Sequence, residues 1–120
     1  MSGLKVLLVE DEATIRMAVA DMLRAMGHSI AAEAGHIREA MAHARSGEFD
    51  LAVLALNIGG QMTFPMADLI QTRGLPIIFT AGYGQGVSPK RFQDRPVLRK
   101  PFSSEALSIA INQLRPTPAK

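Results

Sequence analysis

Apolar and polar positions alternate between two kinds of segment along the chain. Residues 4–9 (Leu-Lys-Val-Leu-Leu-Val), 51–56 (Leu-Ala-Val-Leu-Ala-Leu) and 75–80 (Leu-Pro-Ile-Ile-Phe-Thr) are short runs of almost wholly apolar side chains. Such runs read as strands buried on both faces, as inside a parallel sheet. Residues 29–33 and 97–99 supply two weaker strand patterns. Between them apolar residues recur at helical spacing: Ile15, Val19, Met22, Leu23 and Met26; Ile37, Ala40, Met41 and Ala44; Met66, Leu69 and Ile70; and Leu107, Ala110, Ile111 and Leu114.

The punctuation agrees with this reading. Gly27 stands at the C′ position of the first helix, Pro65 at the first position of the third, and Ser103 where it can cap the last. Pro116 and Pro118 end that helix, and a short tail begins at about residue 116. Asp50 opens the central strand, and the Gly59-Gly60 pair is expected as a loop at its carboxyl end. Strand–helix alternation of this kind predicts an α/β fold, a doubly wound parallel sheet of five strands with helices on both faces. One crossover is weak. Residues 82–96 contain three glycines and two prolines and no apolar stripe, so the fourth helix is expected to be short or missing.

Composition changes this picture little. The 120 residues are read as one domain, 1–120, large enough to bury roughly two thirds of the surface of the unfolded chain. A formal charge of +2 is too small to suggest a nucleic-acid partner. With no cysteine there is neither a disulfide nor thiolate chemistry. No run approaches the length of a membrane span and no signal-peptide pattern opens the chain, so a cytoplasmic location is expected. His28, His36 and His43 are not spaced as ligands and read as surface residues. The methionines read as core filler, and Arg38, Arg45 and Arg73 as solvated helix faces.

Chemistry gathers at the carboxyl ends of the strands, where open α/β sheets bind their ligands. Glu10-Asp11-Glu12 follows strand one, Ala55-Leu56-Asn57 ends strand three, Thr80-Ala81 ends strand four and Lys100-Pro101-Phe102 follows strand five. Acids at the start of a helix also complement its dipole, which is the plainer explanation of the first cluster.

These four features at this spacing resemble the receiver domain of bacterial two-component response regulators, and the resemblance covers the whole chain. It implies the flavodoxin-like arrangement of the sheet. It also implies that Glu10 and Asp11 hold Mg²⁺, together with the backbone carbonyl of Asn57. Lys100 would pair with the acceptor carboxylate and later with the phosphoryl group, and Thr80 would supply a hydroxyl to that group. The acceptor itself should be an aspartate at position 55, where this chain has Ala55. Asp50 cannot replace it, since five residues of strand put it roughly 16 Å away. Asp68 and Asp94 read as solvated surface.

The segment Phe79-Thr-Ala-Gly-Tyr-Gly84 looks like the Phe-Ala-Thr-Gly-Tyr-Gly motif of a receiver subclass with its middle pair exchanged. That leaves Thr80 one residue before the usual hydroxyl position, now Ala81. The subclass also lacks a well-formed fourth helix. Val97 occupies the place of an aromatic switch residue, a role Tyr83 could take. The resemblance therefore implies a non-enzymatic receiver unable to accept phosphate, either a laboratory Asp→Ala variant or a natural pseudo-receiver; the otherwise complete pocket favours the former. Mg²⁺ binding would be weakened or absent. Partners would be a histidine kinase or a histidine phosphotransfer domain, with a homodimer left open. The alternative is a flavodoxin-like module binding a nucleotide or flavin, against which the acids after strand one count, because they repel phosphate.

Overall fold

The computed structural model describes residues 3–82 and 89–114. Strand β1 (Lys5–Val9) is buried from Val6 onward, and helix α1 (Ala13–Ala25) follows it. Next come β2 (Ser29–Ala34), α2 (Ile37–Ser46) and the central strand β3 (Leu51–Ala55), every residue of which is buried. Two short strands, β4 (Asn57–Ile58) and β5 (Gln61–Met62), precede α3 (Phe64–Thr72). The chain then forms β6 (Ile77–Ala81), a 3₁₀ turn (Lys90–Phe92), β7 (Val97–Arg99) and α4 (Ser104–Leu114).

Five parallel strands pair in the order β2-β1-β3-β6-β7, the expected flavodoxin-like doubly wound sheet. Alternation of side chains along the strands divides the core in two. Leu7, Leu54, Ile77 and Phe79 pack with Ala40 and Ala44 of α2 and Met66 and Ile70 of α3. Leu8, Val53 and Ile78 pack on the other face with Val19 and Leu23 of α1 and Leu107 and Ile111 of α4. From β1 the chain goes first to β2 on one side, then to β3 on the other. The crevice of a doubly wound sheet opens at this reversal, outside the carboxyl ends of β1 and β3.

Most of the expected punctuation holds, although α3 starts at Phe64 and Pro65 is its second residue, not its first. Gly27 takes φ +93° after the last turn of α1, and Ser103 Oγ accepts the Ala106 N–H at 3.0 Å. Several local expectations do not hold. Residues 57–62 form an antiparallel hairpin, not a plain loop: Asn57 pairs with Met62 and Ile58 with Gln61. Gly59 and Gly60 are its two turn residues, with φ +56° and +88°, a conformation that requires residues without a Cβ.

The 3₁₀ turn between β6 and β7 has an apolar anchor. Phe92 is fully buried, stacked on Phe64 at 5.9 Å and edge-on to Phe79 at 5.5 Å. Asp68 is not simply solvated, since it accepts two hydrogen bonds from Arg91, at 2.8 and 3.0 Å. Arg73 is likewise more than a solvated face: it donates to the carbonyls of Ala44 and Gly47 and covers the Phe49 ring. His28 is buried, not on the surface, and its Nδ1 accepts the Leu4 N–H at 2.9 Å. Not every methionine fills the core, since Met17 is 62% exposed. The expectations for Tyr83 and for the tail from residue 116 lie outside the described residues.

Candidate functional site

The site is built where β1, β3, β6 and β7 end. Glu10 continues β1, donating its N–H to Ala34 O at 3.0 Å, and its side chain is nearly fully buried. Lys100 continues β7 in the same way, through its N–H to Ala81 O at 2.9 Å. The two strands aim these side chains at each other across the end of the sheet. Lys100 Nζ lies 2.6 Å from Glu10 Oε1, with side chains 13% and 3% exposed. The other Glu10 oxygen accepts the Glu12 N–H at 3.1 Å, and its carbonyl accepts from Arg16 Nη1 at 2.6 Å. The helix-dipole explanation covers little of this, because α1 has no acid in its first turn and Glu12 makes no side-chain cap.

Asp11 turns the other way, toward the hairpin, and its Oδ2 accepts the Gly59 N–H at 2.8 Å. Burial pushes its carboxyl up, but the Gly59 N–H and further lowering contributions, Lys100 among them, outweigh that and hold it below its ordinary 3.8. A carboxyl lowered by folding stabilises the fold above its unfolded value, and that contribution is lost as pH falls through the folded value. Stability should therefore drop below pH 3.8 partly through Asp11. Urea titrations at about pH 5 and about pH 3 on the parent and on Asp11→Asn check this, the variant losing part of the pH dependence.

Position 55 ends β3, and Ala55 is 1% exposed. Directly across the ladder stands Thr80, also buried, while Ala81 packs into the core beneath α2 and α3. Asn57 leads into the hairpin, and its side-chain oxygen accepts the Gly60 N–H at 2.9 Å. One contributor escapes a sequence reading. Thr63 is buried, and its hydroxyl donates to Ala55 O at 2.7 Å while its N–H donates to Leu56 O at 2.9 Å. It folds the hairpin back on the end of β3 and so positions residue 55. Its place between a Gly-Gly turn and a proline-started helix was the available signal.

The structure thus brings Glu10 and Lys100 into contact and sets Ala55 beside Thr80. Asp11 and Asn57 are both tied to the hairpin turn, through Gly59 and Gly60. Asp11, Asn57 and Lys100 open onto a cleft of about 630 Å³, whose far wall is α1 with Ile15, Ala18 and Met22, and whose rim carries Phe102.

A family model described as "Response regulator receiver domain" matches residues 6–112. The chain belongs to this family. Among curated relatives, the transcriptional regulatory protein PdtaR of Mycobacterium tuberculosis is 31% identical over 119 residues; the match takes in 92% of this chain and 58% of PdtaR. The receiver thus spans little more than half the length of that relative. The solution structure of SdrG from Sphingomonas melonis is 32% identical, with a TM-score of 0.84 over 93% of this chain and 97% of that one. The PhyR receiver domain of Erythrobacter litoralis, 24% identical, shares the fold with a TM-score of 0.78 over 100% of this chain and 98% of that one.

Mg²⁺ is the ion the receiver family implies. The residues present fit it poorly. Both Glu10 oxygens and one Asp11 oxygen already accept protein hydrogens. Among the described residues no group of three or more acidic, histidine or cysteine side chains gathers as a metal site. Nor is any helix among them long and apolar enough to cross a membrane.

Proposed function

We propose that this receiver accepts no phosphoryl group and works through protein–protein contacts with a histidine kinase or a histidine phosphotransfer domain. One observation carries the reading. The residue that ends β3, paired across the ladder with Thr80, is Ala55. A methyl group has no oxygen to form an acyl phosphate, and Asp50 sits at the opposite end of the strand, accepting the Lys5 N–H. On this reading Glu10, Asp11, Asn57, Thr80 and Lys100 are the remnants of a phosphoryl site, and residues 1–120 act as one domain in the cytoplasm.

The contact surface proposed for the partner is α1 with the β7–α4 connection. Ile15, Ala18, Met22 and Phe102 line the cleft, and Met17 projects from the neighbouring face of α1 one turn from Asp21, so apolar and charged groups share this surface. Exposed apolar patches of this kind mark interaction sites. A regulatory output such as the name of PdtaR indicates would belong to a longer protein or to the partner.

Radiolabelled phosphate on a cognate kinase or phosphotransfer domain tests both parts. The partner should keep or hydrolyse its label, the chain should gain none, and the two should still co-elute. Label on any residue of this chain overturns the first part, and loss of co-elution overturns the second. Met17→Asp should weaken partner binding by about tenfold, the loss expected when one apolar contact is replaced by a charge. Its melting temperature should stay near that of the parent, because Met17 is exposed.

A further inference from the structure

We infer that the Lys100 ammonium stands in for the divalent cation of this receiver, so that the pocket is neutralised from within and takes up no Mg²⁺. The inference rests on the receiver reading only for which ion the pocket is compared with. Its other grounds are charge and hydrogen bonding around Glu10.

Glu10 has two side-chain oxygens, and both are engaged. One receives Lys100 Nζ at 2.6 Å and the other the Glu12 N–H at 3.1 Å. Asp11 gives one oxygen to the Gly59 N–H at 2.8 Å. Mg²⁺ requires near-octahedral oxygen ligands and usually binds through one or two carboxylates that can turn their lone pairs to it. Each Glu10 oxygen has given one of its two lone pairs to a donor. A cation bound through the remaining ones would sit beside the Lys100 ammonium and be repelled by it.

Charge counting points the same way. Glu10 and Asp11 against the Lys100 ammonium leave a single negative charge, which a divalent cation overcompensates, with Glu12 further out on the same cleft. A third carboxylate at position 55 would leave two negative charges, which a divalent cation cancels. Ala55 and the short Glu10–Lys100 pair are therefore two sides of one arrangement: without the acceptor to engage Lys100, the lysine turns to Glu10.

Mn²⁺, which shares these oxygen ligands and broadens nearby resonances, is the probe. It is titrated into the full chain labelled with ¹⁵N, following the amides of residues 10–12, 59 and 60. The unmodified chain should show no broadening confined to these amides. Lys100→Met frees Glu10 Oε1 and removes the competing positive charge beside Asp11, so these amides should broaden, with an affinity at least about tenfold tighter. If Lys100→Met does not fold, Ala55→Asp, which keeps the lysine and adds the third carboxylate, should do the same. Site-specific broadening in the unmodified chain overturns the inference, as does its absence from every folded variant. The partner-binding experiment reads α1 and is indifferent to metal, so the two claims fail separately.

Discussion

Ala55→Asp should destabilise the protein in EDTA and regain stability when Mg²⁺ is added. Position 55 is buried at the end of β3, next to β1, which leads into Glu10, and two strands from β7, which leads into Lys100. A new carboxylate there adds a like charge to a crowded site. At about 4 Å and an effective dielectric near 20, one such pair costs about 4 kcal/mol before relaxation. Lys100 can turn partly to the new acid, so the expected net loss is about 1–3 kcal/mol. Mg²⁺ binding only to the folded form then stabilises by mass action, about 2.7 kcal/mol at a hundredfold excess over its dissociation constant. Melting curves of both proteins with EDTA and with Mg²⁺ make the comparison. The parent should not respond to the ion; an Ala55→Asp protein that does not respond either would remove the assignment of the pocket.

Phe92→Ala should have the larger effect on stability, a loss of about 3–5 kcal/mol. The ring is fully buried and contacts both Phe64 of α3 and Phe79 of β6. Its removal leaves a cavity between helix and sheet and takes away the apolar anchor of the 3₁₀ turn. The midpoint of thermal unfolding should fall by on the order of 15 °C. Asp68→Ala is the control. It removes only an exposed, solvent-screened ion pair with Arg91, so its loss should be far smaller than that of Phe92→Ala. Similar losses in the two variants would mean that the turn is held by its charges and not by Phe92.

Most of the fold was legible because burial on both faces writes itself as unbroken apolar runs. The runs at 51–56 and 75–80 became β3 and β6, displaced by one or two residues at their ends. Gly27 and Ser103 marked helix ends because backbone geometry and orphaned N–H groups narrow the choice of residue there. The hairpin at 57–62 was harder to read. Each of its strands is two residues long, too short to show a period, and it is held by Thr63 and Asp11 from outside.

Phe92 was missed because a single aromatic has no periodicity; only the facing rings on α3 and β6 make it core. His28 and Arg73 looked like surface for a related reason. Their partners are backbone groups of distant segments, Leu4 in one case and Ala44 and Gly47 in the other, which composition does not reveal. Within the site, Glu10, Asp11 and Lys100 stood out by residue type and spacing. Which acid takes the lysine was decided by strand geometry: Glu10 continues β1 inward, whereas Asp11 is drawn off by the turn at Gly59.

The bond between Glu10 and Lys100 joins positions ninety residues apart, one just beyond the first strand and the other just beyond the last. No local segment can make it. It forms only when the short edge strand β7 has docked on β6 and the sheet is complete from one side to the other. Closure of this pair is therefore a signature of finished assembly, and a chain cut short before its final strand has no pocket for any partner to inspect.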